Sequence, residues 1–122
     1  MTTNAGASIR RGEIYLVDWS PSRGSEQSGR RPAVIVQADA ANLHSGYPNT
    51  IVVAVSRSGR SVPFHVRIPA TVKNGLTSDP SYVKCEQVMT ISKERLQQYL
   101  GDLEPEDLKR VSAALKKTME LT

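Results

Sequence analysis

A chain of 122 residues with 39% hydrophobic and 23% charged residues holds one ordinary globular domain and is too short for two. Its single cysteine, Cys85, excludes an internal disulfide and suits a reducing cytoplasm, while no apolar run approaches the roughly 18 residues of a membrane helix. The net charge of +4 is unevenly placed, with nine Lys/Arg against four Asp/Glu in residues 1–78 and no acid between Asp39 and Asp79, a pattern that fits either a polyanion-binding face or a merely solvated basic one.

The opening MTTNAGASIRRG has no apolar signal-peptide core, so residues 1–9 are expected to form a loose tail and residues 10–122 a single domain. EIYLVDW (13–19), PAVIVQA (32–38) and TIVVAVS (50–56) are Val/Ile-rich runs of strand length bounded by Gly, Pro, Asn and Ser. VPFHVRI (62–68) alternates, setting Phe64, Val66 and Ile68 on one face and His65 and Arg67 on the other. YVKCEQVMTI (82–91) is a fifth strand, and SKERLQQYL predicts a short helical turn capped by Ser92. The C-terminal LEPEDLKRVSAALKKTMEL repeats Leu108, Val111, Leu115 and Met119 at helical spacing, with Pro105 in its first turn and Lys116 and Lys117 near its end. Many short strands and one closing helix indicate a mainly β (α+β) domain, a small twisted, partly closed barrel with helical cover.

The two histidines and one cysteine lie far apart and give no zinc pattern; phosphate-binding and dinucleotide-binding glycine loops and an EF-hand are also missing. Ser25 stands in RGSEQ, not in a nucleophile elbow. No cofactor and no metal are therefore expected. What remains is a Gly-rich loop, SPSRGSEQSGRR, loaded with Glu26, Gln27, Arg30 and Arg31 and followed by Pro32. Arg31, fixed at a strand entrance by Pro32, presents a planar donor fork suited to phosphate. Equally, it can pair with Glu26 and simply pin the loop.

The stretch RRGEIYLVDWSPSRGSEQSGRRPAVIV resembles the opening of the MazF/PemK family, the endoribonuclease toxins of bacterial toxin–antitoxin pairs. The likeness runs on through NTIVVAVS, VPFHVRI, GLTSDPSYVKCEQVMTI and SKERL to the last helix. It implies an SH3-like, PemK-like barrel and places the family's catalytic arginine on Arg31 and its catalytic threonine on Ser56. At Ser56 the hydroxyl is kept and the methyl lost. Glu86 and Gln87 match the family's EQ, but Met89 stands where many members have Arg. Asn42 is kept in ANLHSG, while Leu43 replaces a frequent Arg. Both replacements bear on which bases are read.

On this resemblance the activity is metal-independent cleavage of single-stranded RNA by the RNA's own 2′-hydroxyl, leaving a 2′,3′-cyclic phosphate and a 5′-hydroxyl. Arg31 stabilises the phosphorane and Ser56 donates to a phosphate oxygen. Arginine is not neutral in proteins, so Glu26 is the candidate base, with His65 behind it; a loop-fixing role for Glu26 stays open. Ser25, Gln27, Gly29, Arg30, Arg57, Arg60, His65, Glu86 and Gln87 are the expected RNA-contacting residues, although Arg57 and Arg60 can equally serve solubility. The resemblance further implies a cytoplasmic homodimer and a cognate antitoxin with an acidic, disordered segment, and no membrane partner. Two alternatives remain: a CcdB-like gyrase poison that binds protein without catalysis, and a catalytically weak RNA-binding domain, for which the loss of the threonine at Ser56 is the best support.

Overall fold

The computed structural model describes residues 8–19 and 29–121. Six strands, β1 (Glu13–Asp18), β2 (Arg30–Ile35), β3 (Asn49–Ser56), β4 (His65–Ile68), β5 (Ser81–Ser92) and β6 (Leu96–Asp102), form one antiparallel sheet in the order β4-β5-β3-β2-β1-β6. Its two ends are not joined, so the architecture is the expected partly closed, twisted one. A short helix α1 (Asp39–Asn42) lies between β2 and β3, and α2 (Pro105–Thr118) closes the chain. None of the described helices is long and apolar enough to cross a membrane.

The apolar runs reach strand length because the middle of the sheet is covered on both faces. On one face, Ile14, Val34, Val53, Val55, Val66 and Val83 pack with Val111, Ala114 and Leu115 of α2. On the other, Tyr15, Val17, Ala33, Ile35, Val52 and Ala54 pack with Ile9, Trp19, Ile91 and Leu96. Each fully buried Val or Ile contributes about 1.5–3 kcal/mol by leaving water. Ile9, assigned from sequence to the tail, is only 1% exposed.

Three local expectations are corrected. The segment after Ser92 is not a helical turn throughout. Ser92 does cap a turn, its oxygen accepting the Glu94 N–H at 3.2 Å, but that 3-10 turn ends at Arg95 and Leu96–Asp102 pairs with β1. Without β6 the donors and acceptors of β1 would form an open edge. Register shifts within this pairing break the period-two pattern and hide the strand from sequence. The strand expected over 62–68 is confined to His65–Ile68, and Phe64 is exposed rather than in the core; Pro63 has no N–H to lend to a ladder. In α2, Leu108, Val111 and Leu115 follow the expected stripe and Ala114 joins it, but Met119 lies past the helix end and is exposed.

Candidate functional site

Strand pairing decides which polar residues meet. Between β2 and β3 the register is Ala33↔Ala54, Val34↔Val53 and Ile35↔Val52; the ladder ends there, and Arg31 and Ser56 lie two residues beyond it, one on each strand. These residues are 25 positions apart in the chain, yet both border one cleft of about 460 Å³ together with Arg30, Arg57, Thr77 and Ser78. Among the described residues no carboxylate lines this cleft. The cleft therefore gathers three guanidiniums and several hydroxyls, a donor set suited to an anion.

Each member is held by its element. Arg31 is half-buried and paired in register with Val17 of β1, whereas Arg30 is exposed. At the entrance to β2, the Trp19 N–H donates to the Gly29 carbonyl at 2.9 Å, and Gly29 takes a φ of +73°, which a side chain would strain. The Ser56 oxygen accepts the Ser58 N–H at 3.2 Å. Accepting in this way leaves the hydroxyl its own proton to donate.

Beside this cleft lies a groove of about 430 Å³ bordered by Arg60, His65, Arg67, Tyr82 and Arg110. Here His65 is fully engaged: Nδ1 accepts the Arg60 N–H at 2.9 Å and Nε2 lies 3.0 Å from Glu86 Oε2. The first contact leaves the ring proton on Nε2, donating to Glu86. Neither nitrogen then has a free lone pair, and the geometry weighs against His65 as a base.

Of the residues singled out from sequence, Arg30, Arg31, Ser56 and Arg57 thus come together, with Gly29 at the neck. Arg60 and His65 sit in the neighbouring groove, and Glu86 joins them through His65. Gln87 is half-buried in β5 and borders neither hollow. Ser25, Glu26 and Gln27 lie outside the described residues. Arg67, Tyr82 and Arg110 were not singled out. The alternation of VPFHVRI does put Arg67 beside His65, but nothing in the sequence joins either to Tyr82 or to α2.

Asn42 proves to be structural. It is 4% exposed; its Oδ1 accepts from Gln37 Nε2 at 2.9 Å and from Thr50 Oγ1 at 2.8 Å, and its Nδ2 donates to the Gln37 carbonyl at 2.9 Å. The buried Lys93 donates to the Asn42 carbonyl at 3.0 Å. Elsewhere, burial pushes the Cys85 thiol up to about 11, helped by the neighbouring Glu86, so the sulfur is a packing group rather than a nucleophile. Burial and the Glu13 carboxylate likewise raise Tyr15 far above the usual phenol range. Among the described residues no group of three or more His, Cys, Asp or Glu is placed to hold a metal ion.

Comparison with known proteins bears directly on this arrangement. Residues 10–119 match the family model described as PemK-like, MazF-like toxin of type II toxin–antitoxin system. The chain is 41% identical over 111 residues to an endoribonuclease MazF of Staphylococcus saprophyticus, covering 88% of each protein. Among solved structures it is similar to an endoribonuclease in complex with its cognate antitoxin from a mycobacterial species, at 25% identity and a TM-score of 0.77 over 94% of this chain and 98% of that one. A MazF structure from Deinococcus radiodurans, at 23% identity and a TM-score of 0.74 over 93% and 97% of the two chains, shares the fold.

Proposed function

The chain belongs to the family of PemK-like, MazF-like toxins of type II toxin–antitoxin systems, and on that premise we propose that it is the endoribonuclease toxin of such a pair, cutting single-stranded RNA without a metal. The observation that carries the reading is the meeting of Arg31 and Ser56, from separate strands, at one basic cleft.

RNA brings its own nucleophile. The 2′-oxygen loses its proton and bonds to phosphorus, the P–O5′ bond breaks, and the departing 5′-oxygen takes up a proton. The products are a 2′,3′-cyclic phosphate and a 5′-hydroxyl. Negative charge grows on the non-bridging oxygens along this path. Arg31 meets it with a planar pair of donors, and Ser56, whose oxygen already accepts from Ser58, adds its hydroxyl proton. Donors held ready in this way commonly supply the greatest share of an enzyme's rate enhancement. Glu26 is the proposed base, and Arg57 and Arg30 attract the flanking phosphates. Single-stranded RNA is the substrate class because in-line attack needs a splayed backbone and readable base edges. On this reading the toxin is a cytoplasmic homodimer restrained by an acidic antitoxin segment, which suits the basic cleft in charge.

Incubation of EDTA-treated protein with a long single-stranded RNA tests this. Cleavage with cyclic-phosphate ends is expected, abolished when the cleaved nucleotide alone carries 2′-hydrogen. Normal cutting of that deoxy substrate would overturn the 2′-hydroxyl mechanism, and binding without cutting would leave only an RNA-binding domain.

A further inference from the structure

The cleft that holds Arg31 and Ser56 is not the end of the pattern. Ser56 is also the register partner of Tyr82 on β5, and Tyr82 is the partner of Arg67 on β4. Directly paired residues face the same side of a sheet, so Ser56, Tyr82 and Arg67 form one transverse row, which the β2–β3 register, continued two residues past its last pair, extends to Arg31. At about 4.8 Å per strand the row is roughly 14 Å long, and Arg67 stands about 10 Å from Ser56. The neighbours Val55, Val83 and Val66 are all in the core beneath α2, which puts the row on the opposite face.

The loop after Ser56 spans this row. A Cβ at Gly59 would collide with the Cγ of Tyr82, so only glycine lets the loop lie down on the ring. Thus seated, the loop sets Arg57 at the first cleft and Arg60 at the second. Arg60 and Arg67 are exposed, and among the described residues neither guanidinium has an ion-pair partner. Arg110 borders the same groove from α2 and is paired with Asp107 at 3.0 Å. With Asp107 on Arg110 and Glu86 on His65, two carboxylates stand beside three guanidiniums, and the hollow stays net positive.

We propose that the Arg60–Arg67–Arg110 groove is a second phosphate subsite for the same RNA strand, occupied within a few nucleotides of the bond held at Arg31 and Ser56, with Tyr82 as the spacer between the two. This rests on the endoribonuclease reading of the first cleft. Guanidinium forks fit phosphate oxygens two at a time. The loop seated on Tyr82 carries Arg57 at one hollow and Arg60 at the other, giving an extended strand a basic path between the two sets. RNA is favoured over an acidic peptide because the same loop links this groove to the cleft that holds the scissile phosphate. Arg67 acts here in binding and not in the chemical step.

The test uses a nuclease-resistant 2′-O-methyl RNA of about a dozen nucleotides and a 2′-O-methyl dinucleotide, which has one phosphodiester and cannot fill both subsites. Arg67→Gln and Arg110→Gln change exposed side chains and are compared with wild type by anisotropy over a salt series. Expected for Arg67→Gln is about tenfold weaker binding of the long RNA, a salt slope smaller by about 0.7, unchanged dinucleotide binding and unchanged kcat on cleavable RNA. Arg110→Gln should move in the same direction and less, because Asp107 already shares its charge. Unchanged long-RNA affinity and slope in Arg67→Gln would overturn the subsite, as would equal losses for both ligands. Loss confined to a poly-glutamate peptide would reassign the groove to acidic protein. Wild-type protein that binds RNA and never cuts it would sink the nuclease reading while leaving the subsite standing; wild type that binds no RNA would sink both.

Discussion

The two ends of β3 carry polar residues under opposite rules. At its start, Thr50 enters a closed network with Asn42, Gln37 and Lys93, in which each buried group meets a protein partner at hydrogen-bonding distance. At its finish, Ser56 opens on a cleft bordered by Arg30, Arg31 and Arg57, with no carboxylate among its described lining residues. The first arrangement satisfies itself and fixes α1 against the sheet. The second gathers three guanidiniums at one cleft with no carboxylate among its described lining residues, a positive field that an anion would offset. Local charge balance distinguishes the two clusters more surely than residue type does.

The strongest way to break this contrast is Arg31→Lys, which keeps the charge and removes the fork. Single-turnover cleavage should fall by about a hundredfold or more, roughly 3 kcal/mol of transition-state stabilisation, with little change in melting temperature. Near-wild-type cleavage would mean that general attraction suffices; a joint loss of rate and melting temperature would mean that Arg31 only pins its loop. Ser56→Ala comes next, with a rate loss of about thirtyfold, near 2 kcal/mol, and Ser56→Thr should equal or exceed wild type. Identical single-turnover rates for wild type and Ser56→Ala would remove the hydroxyl from the mechanism.

At the other end of the strand the signs reverse. Asn42→Ala removes the side-chain partner of Thr50 Oγ1, of Gln37 Nε2 and of the Gln37 carbonyl, while Lys93 keeps the backbone carbonyl of residue 42, so a loss of about 2 kcal/mol in denaturant unfolding is expected, with the cleavage rate of the folded protein unchanged. A stable variant with impaired cleavage would move Asn42 to the working side of the comparison. The smallest effect concerns Cys85. Its thiol titrates at about 11 in the folded chain against 9.0 when free, so the folded state holds the proton more tightly. This contribution is complete below about pH 9 and lost as pH rises toward 11. Cys85→Ala should flatten that alkaline decline, and an unchanged pH profile would show that the thiol does not contribute.

Composition and periodicity alone determined a good deal. Five of the six strands and the last helix were legible because the strands show as Val/Ile-rich runs or, over VPFHVRI, as alternation, and the helix repeats its apolar residues at its own period. The tandem of loop, Pro32 and strand also marked Arg31, and the family resemblance added Ser56 as its partner. β6 was not legible, since its bulged register with β1 destroys the alternation that a sequence can display. Nor was the role of Asn42, whose partners come from α1's surroundings, β3 and the turn after β5. Tertiary structure alone brought Arg31 and Ser56 to one cleft and set Ser56, Tyr82 and Arg67 in one row. Register is the reason: a shift of one residue turns every side chain to the other face, and register is fixed by the packing of the whole sheet, which no short stretch of sequence contains.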